Sequence, residues 1–152
     1  MISLDVKVVN VIHGRNFKVV NPSNLYDCTF GDDVFIGPFV EIQKGVAVGN
    51  RTKIQSHTFV CELVEIGSDC FIGHGVMFVN DLFKDGRPAG GDPKKWHATI
   101  ISDRVSIGSG VTLLPVSICS DVVIGAGAVV TKDIDEPGVY VGNPARILRN
   151  RR

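Results

Sequence analysis

VFIGPFVEIQKGVAVG, residues 34–49, repeats an apolar pair every six residues: Val34 with Ile36, Val40 with Ile42, Val46 with Val48. Carried both ways along the chain, the second member of the pair becomes Phe30, Ile36, Ile42, Val48, Ile54, Val60, Ile66, Ile72 and Phe78, all large and apolar. The first becomes Val34, Val40, Val46, Thr52, Thr58, Val64, Cys70 and Val76, all small or β-branched. Glycine follows the large residue at 31, 37, 49, 67 and 73. A period of six matches neither the helical period of about 3.6 nor the period of about 2 of a long strand. It matches a compound unit. In Val34-Phe35-Ile36 the outer residues point one way and Phe35 the other. Gly37-Pro38-Phe39 then turns the chain, the glycine being read as supplying backbone angles closed to other residues. One such unit cannot bury its inner face, so units stack into a β-solenoid.

The phase resumes at Ile101, Ile107, Leu113, Ile118, Ile124 and Val130, with one five-residue step from Leu113 to Ile118. The step from Phe78 to Ile101 is nearly four hexads long where one is expected, so almost three hexads' length of chain is inserted. The insertion, around residues 80–98, is rich in Gly, Pro and charge and reads as a long loop. Loops of this length in compact domains are functional or disordered. The chain as a whole, residues 1–152, is read as one domain.

Composition excludes several classes. Lys plus Arg and Asp plus Glu number 16 each, so no net field favours nucleic acid or an anionic membrane. No apolar run approaches the length of a membrane span. MISLDVKVVN carries Asp5 and Lys7 and is not a signal peptide, so a cytoplasmic location is expected. Cys28, Cys61, Cys70 and Cys119 show no CxxC spacing, against a zinc ribbon, and need no disulfide.

FIGPFVEI, EIGSDCFIGHGV, VSIGSGVTLLPVSI and VVIGAGAVVTKDI resemble the hexapeptide-repeat acyltransferases. The resemblance covers about residues 25 to 148. It implies a left-handed parallel β-helix, all-β, with three hexads per triangular coil, and a homotrimer. VVTKDIDEPGVYVGNPAR resembles the end of that prism, where the chain turns outward. Within the family, SHTFVCELVEIGSDCFIGHGVMFVND and the step LLPVSIC are similar to a subgroup that N-acetylates 3-amino-3,6-dideoxyhexoses linked to dTDP, with acetyl-CoA as donor. A sister subgroup acts on UDP-linked 3-amino sugar acids. A role in surface glycans such as O-antigen, lipopolysaccharide or S-layer glycan goes with these activities.

Three hexads make one coil, so residues three hexads apart stack at roughly 4.8 Å. Asn80 then lies over Glu62, Glu62 over Lys44, and Asp81 beside them where the loop leaves. His74 lies over Ser56, next to His57, on another corner. The resemblance places a Glu and an Asn-Asp pair around the sugar amine, here Glu62, Asn80 and Asp81. Glu62 is also open to a plain cross-coil ion pair with Lys44. O-acetyltransferases of this fold use a histidine base, since an alcohol needs deprotonation, so His57 and His74 line the site or stand exposed on their corner. His13 and His97 read as surface residues. Acetyl-CoA is expected in a groove between subunits, along Gly108, Ala126 and their neighbours. Lys132 and Arg146 either meet its phosphates or are solvated charges.

Three rivals stand beside N-acetyl transfer. One is an inert scaffold or assembly subunit built on a β-solenoid, against which the intact ladder and the long loop argue. A histidine-based O-acetyltransferase is the nearest one. A γ-class carbonic anhydrase shares the fold and binds zinc through three histidines, but the second motif histidine, five residues after the one in IGHG, is Val79 here. Zinc catalysis needs three fixed protein ligands, and no metal is expected.

Overall fold

A computed structural model describes residues 5–150. Every position of the two six-residue series is buried, from Phe30 and Val34 through Phe78 and Val76, and the series resumes buried from Ile101 to Val130. Each such side chain stacks on its equivalents one coil above and below. Full burial of a Val, Ile or Phe is worth roughly 1.5–3 kcal/mol. One continuous apolar column therefore holds the molecule together.

Among the described residues the chain builds three sheets of seven, six and eight strands, parallel throughout except for the last strand of the third. The first face includes Glu41–Ile42, Phe59–Val60, Met77–Phe78 and Thr112–Leu113. The second includes Ala47–Val48, Val64–Ile66 and Thr99–Ile101. The third includes Phe35–Ile36, Lys53–Ile54, Phe71–Ile72 and Ser106–Ile107. It ends in Gly138–Val141, paired antiparallel with Arg146–Asn150, where the chain turns back outward. The result is a β-solenoid of about seven turns, consistent with the left-handed β-helix.

In the middle coils the stacked positions keep the full three-hexad spacing, as in Phe59 on Met77 and Lys53 on Phe71. At both ends the spacing is one residue shorter, as in Val8 on Leu25 and Thr112 on Val129. The shorter coils lose that residue at one corner, as in the step from Leu113 to Ile118. The helix also begins earlier than expected, at Val8–Val9 rather than near residue 25. Among the described residues no coil stacks beyond the first, so Val11, Phe17 and Val19 are only partly buried and the apolar pattern fades there.

The glycines correct the sequence reading. Gly37 and Gly73 are not among the residues with positive φ; that conformation falls two residues later, on Phe39 (φ 59°) and Gly75 (φ 63°). What Gly73 supplies is room. A Cβ there would sit 2.7 Å from the Gly108 carbonyl carbon, the Ile107 oxygen and the Ser109 nitrogen of the next coil. Positive φ recurs at Asp33, Phe39, Gly45, Arg51, His57, Leu63 and Asp69, one hexad apart, each turning one corner.

Val64, Glu65 and Ile66 pair with Thr99, Ile100 and Ile101 across the insertion. Glu65 and Ile66 also pair with Ala47 and Val48 of the preceding coil. The inserted chain therefore leaves the solenoid and returns without disturbing its register. It leaves after Met77–Phe78 and returns at Thr99–Ile101. Its base is closed by the His97 amide, which donates to the Asn80 carbonyl at 2.9 Å. Among the described residues no helix is long and apolar enough to cross a membrane.

Candidate functional site

The corner between the first and second faces brings together the residues expected around an amine. The Asn80 side-chain amide donates through Nδ2 to the Glu62 backbone carbonyl at 3.2 Å, so the two occupy adjacent coils. The side chain that reaches Glu62 from below is Gln43 rather than Lys44: its Oε1 accepts from the Glu62 amide at 3.3 Å, and its Nε2 donates to Glu41 at 3.1 Å. Lys44 is exposed, and the ion pair with Glu62 does not form. Glu62 is half-buried, and its carboxylate has no hydrogen-bond or ion-pair partner among the described residues. Tyr26 completes the corner. Burial raises its phenol pKa, and the charges of Glu41, Glu62 and Asp27 raise it further, while a hydrogen bond with Gln43 opposes them. A fixed three-hexad spacing from Glu62 passes through Lys44 and misses Gln43, which reaches Glu62 from one position before the ladder. One more such step reaches Tyr26, one coil below the positions read from sequence.

Asp81 is half-buried beside them, but its carboxylate is engaged. One oxygen accepts from the Phe83 amide at 2.9 Å and the other from the Ala89 amide at 2.7 Å. These amides hold its carboxyl below the usual carboxylate range. Asp81 thus shapes the first half of the loop. His97, read from sequence as a surface residue, is half-buried and lines a cavity of about 240 Å³ with Asp81 and Ala89. Its place at the loop's return, next to Trp96, was the signal available.

His57 and His74 share the neighbouring corner, in successive coils. The Gly75 amide donates to the Ser56 carbonyl at 2.9 Å. Both rings are exposed: His57 tilts against Phe39 with centroids 5.0 Å apart, and His74 Nδ1 is 3.5 Å from the Ser109 hydroxyl. Within one chain the strands Phe59–Val60 and Met77–Phe78 separate this corner from Glu62 and Asn80. The span is on the order of 15 Å of extended chain.

Toward the C-terminal end, Gly108 and Ala126 stack in adjacent coils. Lys132 and Arg146 line one cavity of about 360 Å³, together with Asp133, Glu136 and Tyr140. Among the described residues no three His, Cys, Asp or Glu side chains converge as a metal site requires.

Residues 27–62 match the family described as bacterial transferase hexapeptide (six repeats), and residues 98–132 the hexapeptide repeat of succinyl-transferase. Both matched segments are thus hexapeptide repeats. The two matched segments lie on either side of the inserted loop. The chain is 34% identical over 139 residues to the bifunctional protein GlmU of Clostridium perfringens, covering 91% of this chain and 27% of that one. It therefore spans about a quarter of the length of such relatives. In structure it is similar to a variant of AntD, an N-acyltransferase from Bacillus cereus, in complex with dTDP and coenzyme A. The TM-score is 0.83 at 22% identity, over 94% of this chain and 84% of that one. Another AntD variant, holding dTDP-4-amino-4,6-dideoxyglucose and coenzyme A, aligns with a TM-score of 0.67 at 18% identity, covering 94% and 84%. The hexapeptide-repeat acetyltransferase VCA0836 of Vibrio cholerae, complexed with acetyl coenzyme A, aligns at 25% identity with a TM-score of 0.68, covering 92% and 71%.

Proposed function

We propose that the protein transfers an acetyl group from acetyl-CoA to the 3-amino group of a nucleotide-linked amino-deoxyhexose, dTDP-linked in preference to UDP-linked, for surface-glycan assembly in the cytoplasm. The observation that carries this reading is the unpartnered, half-buried Glu62 carboxylate, held beside Asn80 at the mouth of a long loop. A carboxylate there accepts an N–H of the sugar amine and aims its lone pair at the thioester carbonyl. Such positioning is worth up to about 7–11 kcal/mol in ideal cases. The neutral amine is already nucleophilic, so no base must act before attack. The amine proton leaves with the CoA sulfur, whose thiolate is basic enough near its ordinary pKa of about 8.5. Gln43 fixes Glu62 through its amide, Asn80 adds a second polar group, and Asp81 sets the loop. AntD supports the substrate class through its bound dTDP-amino sugar, although that amine is at C4.

Acetyl-CoA would run along Gly108 and Ala126, with Lys132 and Arg146 meeting phosphate. The active assembly is a homotrimer in which a neighbouring copy completes each groove. The histidine-based O-acetyltransferase remains the second reading, favoured by the His74–Ser109 contact. Acetyl-CoA turnover against a panel of dTDP- and UDP-linked 3-amino, 4-amino and hydroxy sugars decides between them. The 3-amino dTDP sugar should turn over fastest. Glu62→Gln should lower kcat/KM about ten- to a hundredfold, the loss of one positioning hydrogen bond of about 1–3 kcal/mol. Unchanged turnover in Glu62→Gln, or a preference for hydroxy sugars, overturns the proposal.

A further inference from the structure

We propose that the inserted loop is itself an anion site: the cavity between its outgoing and returning limbs takes a phosphate or diphosphate group. The loop carries Lys84, Arg87, Lys94 and Lys95 against Asp81, Asp85 and Asp92, which leaves little net charge. The pairing is uneven. Asp81 is bound to the Phe83 and Ala89 amides. Asp85 is paired with Lys95 at 2.8 Å. Asp92 caps the turn Pro93–Lys95 by accepting from the Lys94 amide. Each acidic side chain is thus committed inside the loop. Lys84, Arg87 and Lys94 have no ion-pair partner among the described residues, and all three face the same cavity as His97.

The cavity of about 240 Å³ equals on the order of eight water molecules in liquid volume. That is room for a phosphate or diphosphate but not for a whole nucleotide. Lys84 and Arg87 come from the outgoing limb, Lys94 and His97 from the returning one, so an anion between them would draw the two limbs together. An arginine fork matches phosphate oxygens two at a time, and lysines add point charge.

Binding is read without turnover, so this inference stands or falls apart from the acyl-transfer reading. That reading only names two carriers of the phosphate, coenzyme A and a nucleotide-linked sugar. Trp96 is the single tryptophan, half-buried between Lys95 and His97, and its fluorescence reports the loop. Titrated with inorganic pyrophosphate, the full-length protein should give a saturable change that weakens with added salt. In Lys84→Ala/Arg87→Ala/Lys94→Ala the affinity should fall at least about tenfold, as expected when charge-assisted contacts are lost. Coenzyme A binding tighter than 3′-dephospho-coenzyme A, with the difference erased in the variant, assigns the site to the coenzyme. dTDP binding tighter than dTMP, with that difference erased, assigns it to the nucleotide-linked sugar. No saturable change in the wild type, or wild-type affinity for pyrophosphate in a variant of unaltered melting temperature, overturns the proposal. Should the triple variant melt early, the pair Arg87→Lys and Arg87→Ala decides. Binding kept by Lys and lost by Ala supports the site; equal binding by both overturns it.

Discussion

Two glycines two residues apart, on either side of His74, separate two physical roles. Gly73 has an ordinary φ and a crowded Cβ position; Gly75 has φ 63° and nothing within 4 Å of its Cβ position. In Gly73→Ala the methyl would meet three backbone atoms of the next coil at 2.7 Å, whereas ordinary contact begins at 3.4 Å. The coils must part locally by 3.4 − 2.7 = 0.7 Å. The Gly73 amide donates to the Ile107 carbonyl at 2.8 Å, and the same displacement takes that bond to the limit of hydrogen bonding. Overpacking costs roughly 1–3 kcal/mol and the weakened bond about 1 more, so the loss should be about 2–4 kcal/mol. Gly75→Ala incurs about 1–2 kcal/mol for the left-handed conformation, partly offset by about 0.4–1 kcal/mol from a less free unfolded chain. At about 2–4 °C per kcal/mol for a chain of this size, Gly73→Ala should lower the melting temperature by roughly 5–15 °C and Gly75→Ala by no more than about 5 °C. Thermal melts followed by circular dichroism at one fixed protein concentration measure both. Equal shifts, or the larger shift in Gly75→Ala, would refute the close-approach reasoning.

The double variant His57→Ala/His74→Ala should keep acetyl transfer within about tenfold of wild type; a loss near the ten-thousandfold upper range of acid–base catalysis, in a protein that still folds, would establish a histidine base. An aromatic disulfide reagent should label Cys119 alone in the folded protein and four thiols after denaturation. Burial raises all four thiols, Cys28 to about 11 and Cys61 to about 12, but Cys119 is only partly buried whereas the other three are buried, so access of the reagent singles it out; early labelling of more than one thiol would contradict this. Asp81 has its folded pKa lowered, so its anchoring of the loop is present above the ordinary Asp value of about 3.9 and is lost as pH falls through the lower folded value. Trp96 fluorescence should therefore change in that acid window in the wild type, and the altered signal should already be present at neutral pH in Asp81→Ala; identical profiles would remove Asp81 from the loop anchor.

The six-residue period determined the inner column from Phe30 to Val130, the position of the insertion and the stacking of Asn80 on Glu62. These follow from sequence alone because a solenoid makes long-range contacts at fixed sequence steps, and periodicity reports the steps directly. Three things depended on the folded coils. The inward pattern does not say how an outward side chain leans, so only the folded corner put Gln43 rather than Lys44 against Glu62; nor does it show that the end coils lose one residue at a corner. The glycines answer to the backbone of the next coil, a neighbour that exists only after stacking. In the loop there is no period to read. Whether Asp81 was free or bound, and whether His97 was surface or cavity lining, was set by which amides and limbs the closed loop brought within hydrogen-bonding reach.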